Sequence, residues 1–347
     1  MKEVLVTAAA VLTLSLALGA QSAPPAPQRA QPIKPGEVPH RRSATKIPPR
    51  GTYVAPRTPW GDPDIAGVFT NSDESGIPFE RPKEFEGRRM QDITQAELAK
   101  IVQERQEQTI ERTPGLSEFP GATSPMHWFE NYYAVNSRPW LVIEPEDGRV
   151  PPQTAEATKR AADRQASRRG RGPADSWEDR SLYDRCITRG IPGSMMPAIY
   201  GNSYRIHQGP GFVTITYEMV HDTRVIPIDG RNHVAQSIRQ YLGDARGHWE
   251  GNTLVVETTN FTDKTPYRGS SDQLKMTERF TILGPETVEW AVTFDDPHTW
   301  ARPWTFAMNL TKADESQQPF EYACHEGNYG MRNMLSAARA EEKEKGK

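Results

Sequence analysis

The sequence predicts a mainly β protein, an antiparallel meander closing into a barrel with a few peripheral helices. Three observations point there. Between Tyr204 and Cys324, apolar and polar residues alternate with period two in eight short segments. Turn signals such as Gly209-Pro210-Gly211, Asp229-Gly230, Gly284-Pro285 and Asp296-Pro297 separate most of them. Helical spacing is confined to stretches before and after this region. A meander of that length removes its exposed edges most simply by closing on itself, and a two-layer sandwich is the alternative.

Taken in chain order, residues 1–23 read as a secretory signal peptide. An apolar stretch runs from Val4 to Gly19, and Ser22 and Ala23 supply small residues for cleavage. It is short and poorly flanked for a transmembrane span, an uncleaved anchor being the alternative, and no Cys follows it to carry a lipid. The expected location is therefore periplasmic or secreted, with no membrane span after cleavage. Residues 24–59 are rich in Pro and poor in large apolar side chains, the composition of a disordered leader.

Residues 60–180 form a mixed strand and helix segment expected to wrap the barrel. Trp60 to Phe69 is a turn running into a short strand. Thr94 and Glu97 form a capping box for a helix to about Gln108, residues 139–143 form a strand, and Thr154 to Arg169 a polar helix. Residues 181–330 are the barrel domain, with strands near 203–208, 212–219, 223–228, 253–260, 274–283, 287–294, 302–311 and 319–324. The glycine-bounded stretch 243–251 reads as a loop, a lid over one barrel mouth. Residues 331–347 make a helix from about Arg332 to Lys343 and a charged tail.

Charge and motifs exclude several classes of function. The 42 basic residues nearly cancel the 45 acidic ones, and 36% of the chain is hydrophobic. Neither a polytopic membrane protein nor a nucleic-acid binder has that profile. The Arg-rich run Arg168-Arg169-Gly170-Arg171 lacks interleaved aromatics and reads as a solvated loop. There is no dinucleotide fingerprint, P-loop or G-x-S-x-G elbow, and no cofactor is expected. His325-Glu326 lacks a second His at helical spacing, so a polar turn is preferred over a metal site and no metal is expected. Cys186 and Cys324 are the only cysteines, and after export they are expected to pair as a disulfide, two separate buried thiols being the alternative.

Strand parity places side chains two apart on one face. The inward sets are Val213, Ile215, Tyr217 and Met219; Val288, Trp290, Val292 and Phe294; and Trp304, Phe306, Met308 and Leu310. Polar residues interrupt the inward face elsewhere. Glu278 stands between Met276 and Phe280, Arg224 shares a face with Ile226, the face of Leu254 and Val256 continues into Thr258 and Asn260, and His221 extends the face of Tyr217 beside Asp222. A buried ion without a partner costs several kcal/mol or neutralises, so Glu278 and Arg224 are expected to meet.

Two readings stay open. In one, a buried Glu–Arg pair fixes register and His221-Asp222 is a polar turn. In the other, the interior is a cavity for a small, partly polar ligand such as a sugar, an aromatic or a lipid-derived compound. There Arg224, Tyr217, Asn260, Thr258, Asp222 and Trp304 are the binding residues. The partner would then be a small molecule or a glycan. An enzymatic version makes Glu278 or His221 the catalytic general base of an extracellular hydrolase or lyase on carbohydrate or ester substrates.

Four blocks carry a resemblance: Asp184-Arg185-Cys186 running on to Arg189-Gly190-Ile191-Pro192-Gly193, Tyr217 to Pro227, Trp249 to Thr258, and Tyr322 to Gly330. They resemble those of a family of uncharacterised exported proteins with many copies in soil bacteria, from about Pro63 to Ala340. The resemblance implies export and supplies no activity. The expected barrel is similar to lipocalins in architecture alone.

Overall fold

The computed structural model describes residues 51–112, 135–198, 200–313, 319 and 321–346. The expected signal peptide and residues 24–50 of the expected leader lie outside them. The architecture is one antiparallel sheet of ten strands with three α-helices around it. In chain order the strands are β1 (Gly67–Thr70), β2 (Val142–Glu144), β3 (Ser203–Gly209), β4 (Phe212–Tyr217), β5 (Thr223–Pro227), β6 (Asp244–Glu250), β7 (Thr253–Thr259), β8 (Lys275–Gly284), β9 (Thr287–Asp295) and β10 (Trp304–Lys312). Their spatial order is β5-β4-β3-β1-β10-β9-β8-β7-β6, with β2 added against β10.

Two hairpin runs, β3 to β5 and β6 to β10, are therefore joined through β1, a strand drawn from the expected wrapping segment. β1 pairs with β3 through Phe69 and Tyr204 and with β10 through Thr70 and Thr311. Residues 51–59 also belong to the packed chain. Ala55 is buried, Tyr53 packs on the core, and the Asn252 amide donates to the Tyr53 carbonyl.

The inward faces follow the alternation. Val292, Phe294, Trp304, Phe306 and Met308 are fully buried, and β9 pairs with β10 in unbroken register from Phe294↔Trp304 to Thr287↔Thr311. Phe294 stacks on Trp304 at 4.3 Å, and Trp290 meets Phe306 edge-on at 5.3 Å. Burying side chains of this size stabilises by roughly 1.5–3 kcal/mol each, so the interior is the main source of stability. It is packed with aromatic rings.

α1 (Gln95–Arg112) starts where Thr94 Oγ1 accepts from the Glu97 amide, and it packs Leu98 and Val102 with Phe85, Ile93 and Trp140 in a satellite core. α2 (Ala155–Ser167) is capped by Thr154 and buries Ala157 alone. α3 (Tyr329–Glu344) begins three residues before the expected Arg332, because the Asn328 side chain accepts from Met331 N and caps it.

Three expectations fail. The stretch 243–251 is not a lid: residues 244–250 form β6, paired along its length with β7. Its glycines hide the alternation, because the inward positions are Ala245, Gly247 and Trp249. The strand expected at 319–324 is not formed among the described residues. That chain turns instead, and Cys324 bonds to Cys186, 138 residues earlier. His221 does not continue the inward face of β4. Val220 and His221 both take positive φ (64° and 57°), which breaks the parity, and the imidazole is exposed.

The sheet is nearly closed. Its terminal strands β5 and β6 come together by side-chain contact at one end, where a Cβ on Gly247 would lie 2.8 Å from Ile228 Cγ2 and 3.0 Å from Ile226 Cγ2. Only a residue without a side chain lets the two strands approach there. At the other end of the same seam the strands diverge.

Candidate functional site

β5 is held against β4 by the pairs Ile215↔Arg224 and Val213↔Ile226, so Arg224 points inward with Ile226. Its guanidinium reaches across the interior to Glu278, which β8 places among Met276, Phe280 and the neighbouring Val256 and Val292. Arg224 Nη1 donates to Glu278 Oε2 at 2.5 Å and Nη2 to Oε1 at 3.1 Å. Trp290 Nε1 donates to the same Oε1 at 3.1 Å. The two side chains are 3% and 0% exposed, so this is a fully desolvated bidentate pair.

Burial opposes the Arg224 charge, but the adjacent Glu278 carboxylate holds the guanidinium above its ordinary range. Burial pushes the Tyr217 hydroxyl well above the usual phenol range, against the pull of Arg224. Arg224 Nε, the Tyr217 hydroxyl and the Thr258 hydroxyl, all in this interior, have no hydrogen-bond partner among the described residues. Buried groups of this kind are normally satisfied by water or by a ligand.

Where β5 and β6 diverge, a cleft of about 950 Å³ opens from the surface down to Arg224. Thr188, Phe261, Arg224 and Ala245 are its most buried lining residues, and Val225 and Lys264 lie exposed at its rim. Asp222 lies in the wall, its carboxylate accepting from Thr188 Oγ1 at 2.7 Å and from Thr223 N at 3.0 Å. The other wall is the loop carrying Arg239 and Tyr241. That volume lies within the range of small-molecule pockets, and its mixed lining fits a partly polar ligand.

The remaining expected residues divide. Tyr217 is adjacent to the Arg224–Glu278 pair but does not line the cleft. Trp304 is fully buried in the aromatic cluster, its Nε1 without a partner among the described residues. Asn260 is structural in its contacts: its amide donates to the carbonyls of Val234, Ala235 and Ile238 and so ties down the loop that leads into Arg239. Glu278 has both oxygens engaged and no exposed surface, and His221 is on the outside. Sequence reasoning missed Thr188, Arg239, Tyr241 and Lys264. No local pattern marks them, because the seam that unites them is a property of how the sheet ends meet.

Among the described residues no group of three or more His, Cys, Asp or Glu is placed to hold a metal ion, and no helix is long and apolar enough to cross a membrane. No family model matches the chain, and no curated protein does. Among solved structures it is similar to a mutant of the fluorescent protein UnaG, at 14% identity over 38% of this chain and 86% of that one. The TM-score of 0.22 carries no functional argument.

Proposed function

We propose that the chain is an exported β-barrel protein that binds a small, partly polar ligand in the cleft between β5 and β6. The observation that carries this is the desolvated Arg224 at the cleft's inner end, with its Nε–H unpaired. A ligand oxygen that accepts from Nε–H would satisfy the orphan donor, while Ala245 and Phe261 face an apolar body. The Cys186–Cys324 disulfide supports export, since such bonds persist in oxidising compartments. The likeness of its four sequence blocks to exported proteins of soil bacteria agrees with that location.

Ligand-observed NMR with small fragments bearing carbonyl, carboxylate or hydroxyl groups tests the proposal. Fragments should bind the wild type and be displaced from Val225→Trp, whose side chain narrows the cleft mouth. Equal binding to both proteins would refute it.

A further inference from the structure

The seam cleft has a neighbour. A second cleft of about 500 Å³ shares Thr188 and Lys264 with it and continues along Tyr183, Arg189 and Tyr267. Because the two clefts share these walls, they lie side by side. A compact ligand in the first cleft would leave the second empty.

The lining charges indicate what kind of chain fits. Arg224, Arg239 and Lys264 stand against Asp222, Asp263 and Asp272, and two of the cations are already committed: Arg224 to Glu278, and Arg239 to the Asp272 carboxylate at 3.6 Å. With Arg224 paired to Glu278, the cations Arg239, Lys264 and the second cleft's Arg189 balance Asp222, Asp263 and Asp272, so the lining favours neither an anion nor a cation. It offers donors and acceptors side by side, from Gln240, Thr223 and the carboxylates, which suits groups that both donate and accept, and hydroxyls are such groups. Half-buried Tyr241 in the first cleft and Tyr183 in the second supply aromatic faces with polar tips. Arg189 lies over the Tyr183 ring at 5.2 Å and holds it in place.

Resting on the proposed seam site, we infer that the ligand is a neutral oligosaccharide laid along both clefts, with one sugar unit against Arg224 and later units passing Thr188 and Lys264 to Tyr183. Length is the discriminating variable, because only a chain of several units reaches the second cleft.

Isothermal titration calorimetry with neutral gluco-, manno- and xylo-oligosaccharides of increasing length tests this. For the matching series, affinity should rise by about tenfold or more from monosaccharide to tetrasaccharide. Tyr183→Ala should abolish that gain. The wild-type length series carries the test by itself if that variant fails to fold. Binding of a monosaccharide with no gain on lengthening would overturn the extended site but leave the seam site standing. Binding of acidic or apolar fragments at the seam, with no sugar bound, would overturn the ligand class alone. If neither sugars nor fragments bind, the seam site and its extension both fall.

Discussion

Replacing Glu278 by Leu removes the carboxylate that pairs with the Arg224 guanidinium across the interior. The pair is bidentate and fully buried, so the single change leaves an uncompensated buried cation and should cost about 3–5 kcal/mol. Arg224→Leu should cost a similar amount, because the Glu278 carboxylate then keeps only the Trp290 Nε1 donor. In the double variant both charges are gone, two Leu side chains join Ile226, Met276 and Phe280, and the remaining loss is the orphaned Trp290 donor, about 1–3 kcal/mol. The two single losses add to roughly 6–10 kcal/mol, so the cycle should return a coupling of several kcal/mol. Urea unfolding followed by circular dichroism at 222 nm measures all four proteins. A double variant that loses the sum of the single losses would refute the reasoning.

Three further outcomes are expected. Gly247→Val pushes against Ile226 and Ile228 where the seam closes, and should lower stability by about 1–3 kcal/mol, read as a lower urea midpoint. Reducing the Cys186–Cys324 bond opens a loop with a separation of 138 residues and should lower stability by about 4–5 kcal/mol in the chain-entropy estimate; equal melting temperatures with and without reductant would contradict it. The Glu74 carboxyl is raised above its ordinary 4.5 by burial, against the opposing pull of Arg138 and the Ser137 hydrogen bonds. The folded state therefore holds this proton more tightly than the unfolded chain. Its contribution is complete below pH 4.5 and is lost as pH rises through the raised folded value. Glu74→Gln should gain on the wild type over that rise, and parallel stability curves for the two proteins would count against it.

Much of the fold was legible because each long strand keeps a strict parity. Val288 to Phe294 and Trp304 to Leu310 announce their inward faces residue by residue, and the polar interruptions at Glu278 and Arg224 are conspicuous against them. The pairing of those two followed from the cost of burying either alone. Legibility failed where parity is interrupted or where contacts join distant edges. Gly247 and its flanking glycines conceal β6, since the closing seam demands no side chain at the point where alternation would show one. Val220 and His221 turn through positive φ, so the inward face of Tyr217 ends before the imidazole. Asn260, also at positive φ (59°), leaves the strand and bonds backbone carbonyls. The cleft itself depends on the meeting of β5 with β6, strands at opposite ends of the sheet order, which no local stretch of sequence records.

The seam is the central claim, and crystallographic fragment soaking locates bound molecules without assuming their identity. Crystals of the protein soaked with small oxygen-bearing fragments should show them in the cleft between β5 and β6, with an oxygen accepting from Arg224 Nε. Fragments found only elsewhere, with the cleft holding none, would contradict the account.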